Sequence, residues 1–164
     1  MSKTAVRADA AVESDPVSPY LEMLALIERL HRLLLDVVKD EFERLQIVEV
    51  NPVQGLLLFN IGDRVLTAGE LKTRGYYQGS NVSYNLKKLV TGGFVHHQRS
   101  KVDRRSVRVQ LTAKGQGICT IVKALVDKHA SELTGRLSPE ELERVNGNLK
   151  RIERFWADSI RYTY

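Results

Sequence analysis

Residues 80–93 place hydroxyl, amide and ammonium side chains at a spacing that could recognise a polyanion. On a helix that begins at Ser80, the apolar side chains of Val82, Leu86 and Leu89 fall on one face. The opposite face and its flanks carry the candidate recognition residues Ser80, Asn81, Ser83, Tyr84, Lys87 and Lys88. Side chains of these types at the start of a helix suit base edges and phosphates in a major groove. Taken alone, the run is more typical of a solvated helix face, and it is the elements around it that favour recognition.

Positive charge is concentrated around this helix. Residues 64–114 contain eleven Lys or Arg against two acidic residues, Glu70 and Asp103, which makes this window +9. The rest of the chain has 14 basic and 18 acidic residues and is therefore −4, although the whole chain is only +5. A basic window between acidic flanks indicates a polyanionic partner for that window.

A second basic group follows at the tip of a predicted β-hairpin. Residues 94–98 and 106–111 read as strands, the second with alternating apolar side chains. The candidate contacts on this hairpin are Arg99, Lys101, Asp103, Arg104 and Arg105. Asp103 can pair with one neighbouring arginine and leave another guanidinium free to enter a narrow minor groove, and which arginine does so stays open. Arg108 is as well explained by a solvent-facing strand position as by a DNA contact.

Helix-start signals predict the elements that hold these two groups. A long helix begins at Ser18-Pro19 and runs to about Leu45, and Asn51-Pro52 starts a short apolar helix that Gly62 ends. The spacing from Thr67 to Glu70 is that of a capping box, which opens another short helix before the one at Ser80. Two short helices joined by a turn form a helix-turn-helix.

Two further helices follow the hairpin. Thr112 caps one, and Ser138-Pro139 with Glu141 opens the last. The apolar stripes of the terminal helices exceed any local core, so a second chain is expected. The predicted fold is mainly α with a small β-hairpin wing, a winged helix-turn-helix that dimerises through long N- and C-terminal helices. Expected units are a disordered tail (1–17), a helical dimerisation region (18–50 and 113–164) and a DNA-binding lobe (51–112).

The sequence resembles the MarR-type transcriptional regulators over about residues 19–160. The most specific part is Asp103-Arg104-Arg105, then five residues, then Leu111-Thr112-Ala113-Lys114-Gly115. The spacing of Leu71, Val82, Leu89 and Gly93 is also similar, while RGYYQGSNVSYNLKKL resembles the LdtR-type branch. The resemblance implies a dimeric winged helix-turn-helix protein that usually represses genes and releases DNA on binding a small molecule or oxidant; the branch implies cell-envelope targets. Gly75 departs from the family pattern, which usually has an apolar residue there.

Catalysis, metals and membranes are not indicated. Adjacent His96 and His97 point to opposite faces of a strand and cannot chelate one ion together. No catalytic, P-loop or dinucleotide fingerprint appears, so we expect neither an enzyme nor a cofactor. Hydrophobic residues at 43% and charged residues at 27% are typical of globular proteins, and the longest apolar runs are far too short to span a bilayer.

Two candidate sensors have a simpler interpretation as core. Cys119 could be a redox switch, but its place between Ile118 and Ile121 favours an inert buried thiol. A single cysteine in the sequence also suits a reducing cytoplasm. An effector pocket is expected where the first, second and Thr112 helices meet, lined by Phe42, Leu56 and Phe59, although each of these also suits plain core packing.

These features together predict a cytoplasmic, homodimeric regulator that binds a pseudo-palindromic double-stranded DNA operator. Repression relieved by a small-molecule effector is the expected mode of action. The alternative is a winged-helix adaptor that has lost DNA specificity and docks its basic face on an acidic protein.

Overall fold

The computed structural model describes residues 17–67, 70–71, 79–99 and 107–161. The elements are α1 (Val17–Arg44), α2 (Pro52–Ile61), β1 (Leu66–Thr67), α3 (Gly79–Thr91), β2 (Val95–Arg99), β3 (Val107–Leu111), α4 (Ala113–Leu133) and α5 (Pro139–Arg161). The predicted mainly helical fold with a small wing sheet is confirmed. The predicted tail (1–17) lies outside the described residues except for Val17, which already belongs to α1.

Side-chain caps start α2, α4 and α5 where the sequence predicted them, whereas α1 and α3 begin at Val17 and Gly79, one residue before the predicted starts. At α2, Asn51 Oδ1 accepts from Gln54 N at 2.9 Å, and Gln54 Oε1 accepts from Asn51 N at 3.1 Å. The helix ends at Gly62, whose φ of 56° lies in the left-handed region that favours glycine. Because these bonds satisfy otherwise unpaired helix-end groups, both ends of this apolar helix are fixed locally.

A second capping box joins Thr67 to Glu70. Glu70 itself and the next residue, Leu71, are helical. Thr67 N donates to Glu70 Oε2 at 2.6 Å, and Glu70 N donates to Thr67 Oγ1 at 3.1 Å. The rest of the predicted first helix of the helix-turn-helix, with Gly75 and the Tyr76-Tyr77 pair, lies outside the described residues.

The wing sheet has three antiparallel strands in the order β1-β3-β2, where the sequence predicted a two-stranded hairpin. In the register, Val95 pairs with Leu111 and His97 with Val109, while Leu66 pairs with the other side of Val109. The extra strand, β1, is two residues long and pairs with a strand more than forty residues away. It is too short to show the alternation of apolar and polar residues that predicts a strand.

The last two helices begin as predicted. Thr112 Oγ1 accepts from Gly115 N at 3.1 Å, and Ser138 and Glu141 form a reciprocal box at the start of α5. Helix α4 ends at Leu133, and Thr134 N donates to Ala130 O at this end.

One apolar cluster holds α1, α2, α3, the sheet and the first half of α4 together. Its fully buried side chains are Val38, Leu57, Leu58, Ile61, Leu71, Val82, Leu89, Val109 and Val122. The carboxyl-terminal end of α1 contributes Phe42, whereas the amino-terminal half of α1 lies outside this core.

Large apolar side chains therefore remain exposed on the terminal helices. They are Val17, Tyr20, Leu21, Leu26, Leu30, Leu33 and Leu34 on α1, and Val145, Leu149, Phe155 and Ile160 on α5. Trp156 Nε1 donates to Tyr20 Oη at 3.2 Å, which joins α5 to α1 near their ends. None of the helices within the described ranges is long and apolar enough to cross a membrane.

Candidate nucleic-acid interface

Helix α3 has one face in the core, as the sequence predicted. Val82 and Leu89 are 1% exposed and Leu86 is 6% exposed. At about 25 cal/mol per Å² of apolar surface, burying each such side chain stabilises the helix position by roughly 1.5–3 kcal/mol. This packing fixes which residues of α3 face outward.

The outward face carries the polar and cationic residues that were predicted to recognise DNA. Asn81, Ser83, Lys87 and Lys88 are exposed, and Tyr84 is 61% exposed. Lys88 Nζ lies 5.7 Å from the centre of the Tyr84 ring, a distance at which an ammonium is attracted to a ring face. Ser80 belongs to the first turn of α3, with its side chain outside the described part.

One polar residue of α3 was missed by the sequence reasoning. Asn85 is only 8% exposed, and its Nδ2 donates to the carbonyl oxygen of Asn81 at 2.9 Å. A helical projection places position 85 beside Leu89, at the edge of the buried face, so the signal was available. The bond satisfies the Asn85 amide within the helix, so Asn81, Ser83 and Tyr84 provide the exposed polar side chains of this turn.

The wing predictions fall mostly outside the described residues. Lys101, Asp103, Arg104 and Arg105 all lie there, and Arg99 is described only as the last residue of β2. The strand geometry does confirm that neighbouring histidines face opposite ways: His97 pairs with Val109 on the side of α3, whereas His96 pairs with Gln110 on the other side.

A cleft of about 270 Å³ separates the outward edge of α3 from β2. Its lining consists of Ser83, Leu86, Lys87, Val90, Thr91 and His97. The cleft therefore lies between α3 and β2, with Lys87 on the side of α3 and His97 on the side of β2.

The residues predicted to line an effector pocket are packed in this chain. Phe42 is 3% and Leu56 7% exposed, and Phe59 is half-buried against the core. The Phe42 ring fills the space beside Gly55, where an added Cβ would lie 2.5 Å from Phe42 Cζ. Ligand binding by these three residues stays a prediction.

The cysteine environment is that of an apolar core. Cys119 is 6% exposed, and burial, with a smaller contribution from the Asp63 carboxylate, raises the pKa of its thiol. Lys123 acts in the opposite direction but less strongly. In the described part of the chain, no three His, Cys, Asp or Glu side chains come together as a metal site.

Comparison with known proteins identifies the lobe and a relative that aligns with most of the chain. Residues 50–115 match the family described as "Winged helix DNA-binding domain". The chain is 32% identical over 149 residues to the exopolysaccharide II synthesis transcriptional activator ExpG of Rhizobium meliloti (strain 1021). That alignment covers 90% of this chain and 77% of the relative.

Solved structures share the whole architecture. Streptococcus pneumoniae FabT, solved in complex with DNA, is similar with a TM-score of 0.67 at 19% identity, over 85% of this chain and 98% of that one. A mutant MarR from E. coli, complexed with operator DNA, is similar with a TM-score of 0.65 at 24% identity, over 85% and 99% of the two chains. These likenesses show that the fold extends beyond the matched lobe to the long helices.

Proposed function

We propose that this chain, which belongs to the winged-helix DNA-binding transcriptional regulators and has the fold of the MarR proteins, binds a specific pseudo-palindromic operator with α3 in the major groove. The observation that supports this is the division of α3 into a buried apolar face and an exposed face of Asn81, Tyr84, Lys87 and Lys88. Because its inner face is fixed in the core, α3 presents its outer side chains in one orientation. Recognition of specific DNA bases requires such a fixed orientation.

We propose that the wing adds minor-groove and phosphate contacts. Asp103, Arg104 and Arg105 follow β2 in the sequence, next to Arg99 and Lys101. Contacts to phosphate add affinity without sequence information, whereas an arginine in a narrow minor groove responds to groove width. The wing therefore supplies affinity and shape preference, and α3 reads bases.

The protein acts as a homodimer in this proposal, through residues 18–50 and 113–164. The support is the row of exposed apolar side chains on α1 and on α5, far more than isolated surface leucines would explain. Two copies of α3 must then match half-sites one helical turn, or a multiple of it, apart. A two-fold dimer explains why the operator should be pseudo-palindromic.

Repression is the proposed action where the operator overlaps a promoter, since a bound dimer would exclude the polymerase. The similarity to a transcriptional activator favours a second candidate, activation from an upstream operator. That relative's role in exopolysaccharide II synthesis, together with the resemblance to the LdtR-type branch, supports cell-surface or envelope genes as targets. Transcription from a reconstituted promoter, with and without the protein, decides the direction of regulation.

We also propose release by a small-molecule effector and a cytoplasmic location. Support for the effector is positional: α2, with Leu56 and Phe59, packs against both α1 and α4. A ligand that displaced α2 would move the DNA-binding lobe relative to the terminal helices and change the spacing of the two α3 helices. Only an effector that binds the two lobe arrangements unequally can do this.

The test begins with an operator recovered by selecting bound fragments from genomic DNA. Operator affinity should fall steeply with salt, because each neutralised phosphate contributes a slope of roughly −0.9 to the log–log plot. Lys87→Ala should weaken operator binding more than random-DNA binding if Lys87 reads a base, and both equally if it only contacts phosphate. The matched control is Lys128→Ala, which removes an exposed lysine of α4. It should change the affinity for operator and for random DNA little.

The adaptor alternative makes an opposite prediction for the wing. Arg104→Ala and Arg105→Ala should weaken operator binding while the dimer persists. If both variants keep wild-type operator affinity and the wild type binds DNA without sequence preference, the adaptor interpretation replaces the one proposed.

A further inference from the structure

Lys114, in the first turn of α4, contacts three separate parts of the fold. Its Nζ lies 2.7 Å from Glu49 Oε1, in the link between α1 and α2, and 3.2 Å from the carbonyl oxygen of Gly92, at the end of α3. The same ammonium lies 4.3 Å from the centre of the Phe94 ring, just before β2. One side chain therefore joins the end of the recognition helix to the start of α4 and to the link after α1.

The turn from α3 to β2 is bound to the same place by Thr112. Thr112 Oγ1 donates to the carbonyl oxygen of Gly93 at 2.7 Å, and Thr112 N donates to that of Phe94 at 3.0 Å. These two bonds fix the backbone of the turn. Lys114 contacts the end of α3 more directly. It donates to the carbonyl oxygen of Gly92, and the N–H of Gly92 donates to the carbonyl oxygen of Lys88 in the last turn of α3.

The positive charge of Lys114 is electrostatically unfavourable for α4, the helix that carries it, and favourable for the neighbouring helix α3. A cation in the first turn is unfavourable for α4, whose amino end carries partial positive charge. The same cation is favourable at the carboxyl end of α3, where unpaired carbonyl groups carry partial negative charge. Glu49 provides a second acceptor for the same ammonium, so Lys114 contacts a carboxylate as well as the carbonyl group of Gly92.

We propose that Lys114, oriented by Glu49, is a positioning residue that fixes α3 relative to α4 and thereby sets the discrimination between operator and other DNA. This inference rests on the proposed function. Helix α4 is part of the proposed dimerisation region. The Lys114 contact therefore links α3 to the helix that would set the distance between the two α3 helices of a dimer. A lobe that is loose at this contact spends less time in the competent arrangement, and apparent operator affinity falls in proportion.

A competing role for Lys114 is plain phosphate contact, since its side chain is 44% exposed in a basic lobe. The two roles predict opposite signs for a change at its partner. If Lys114 bound phosphate, removing the Glu49 carboxylate would release the ammonium and strengthen binding to all DNA. If Lys114 positions α3, removing the same negative charge weakens operator binding although it lowers the electrostatic repulsion of DNA.

The experiment compares Glu49→Gln with Asp127→Asn in the full-length protein, on operator and on random DNA. Asp127 pairs with Lys123 at 2.6 Å within α4, so this control removes the same charge from a carboxylate that is as exposed as Glu49, at 63%, but whose ion pair joins no two elements. For Glu49→Gln we expect a loss of roughly three- to thirtyfold in operator affinity, from a contact present in both lobes, with random-DNA binding unchanged or stronger. For Asp127→Asn we expect no loss on either DNA.

A conservative variant of Lys114 provides the second arm. Lys114→Gln should lose operator specificity, whereas Lys114→Arg should keep most of it, since a guanidinium can still donate both to the Glu49 carboxylate and to the carbonyl oxygen of Gly92. Equal or tighter operator binding by Glu49→Gln overturns the inference, as does a Lys114→Arg protein no better than Lys114→Gln. Failure of the proposed function is distinct, because the wild type itself would then not prefer any operator over random DNA.

Discussion

A Cβ added at Gly115 would lie 2.0 Å from the carbonyl oxygen of Phe94, so the first turn of α4 rests directly on the backbone that enters β2. The same carbonyl accepts a hydrogen bond from Thr112 N at 3.0 Å. The glycine of the sequence Leu-Thr-Ala-Lys-Gly is therefore explained by close approach of two backbones. This approach is what brings Lys114 within reach of the end of α3.

Gly115→Ala should destabilise the protein by about 1–3 kcal/mol, because the new methyl group meets backbone that cannot rotate away. Gly117→Ala is the control: its Cβ would have no atom within 4 Å, so the variant should gain roughly 0.5–1 kcal/mol from helix propensity. Urea unfolding of both variants at one protein concentration measures the difference. Equal stability of the two variants would contradict the close contact.

Phe155→Glu should dissociate the proposed dimer. Phe155 is 63% exposed within a single chain and lines, with Tyr20 and Ile152, a groove of about 410 Å³ between the ends of α1 and α5. A carboxylate buried there by a partner would be unpaired and costly. Arg154→Glu places the same side chain on the opposite face of α5 and should leave the dimer intact. Sedimentation equilibrium distinguishes them, and a dimeric Phe155→Glu protein would exclude this face from the interface.

Phe42→Ala should lower the free energy of unfolding by about 3–5 kcal/mol, the usual loss for a buried phenylalanine. The ring is 3% exposed and packs against Gly55 of α2. Leu45→Ala, three residues further on and 38% exposed, should lose much less. Chemical denaturation of the two variants gives the comparison, and similar losses would show that the Phe42 site does not act as core.

The sequence predicted the helices well because their start signals are local. Asn51 and Ser138 act on groups three residues away, so the evidence for each helix start lies within a few letters of sequence. The inner face of α3 was predictable for the same reason, since periodicity alone places Val82 and Leu89 together.

Features that depend on distant residues could not be predicted. Strand β1 consists of Leu66 and Thr67 and exists only because β3 lies beside it. The ion pair between Lys114 and Glu49 joins positions 65 apart, and neither residue type indicates its partner. Asn85 is a different case: its position on the inner face was readable, but it was overlooked among the polar residues of the run.

The thiol of Cys119 should not act as an oxidant sensor, because the residue is 6% exposed in the core and burial raises the pKa of the thiol. In the folded protein the proton is held to higher pH than in the unfolded chain. The neutral thiol therefore costs no stability at neutral pH, and stability declines only as pH rises above the ordinary thiol pKa of about 8.5.

Iodoacetamide at pH 7.5 should accordingly modify Cys119 in the native protein on the order of a hundred times more slowly than in urea-unfolded chain, since reaction requires both access and the thiolate. Cys119→Ala should bind operator like the wild type, and hydrogen peroxide should leave operator binding of both proteins unchanged. Mass spectrometry of the alkylated fraction against time gives the rates. Release of operator by peroxide in the wild type, abolished by Cys119→Ala, would instead establish a redox switch.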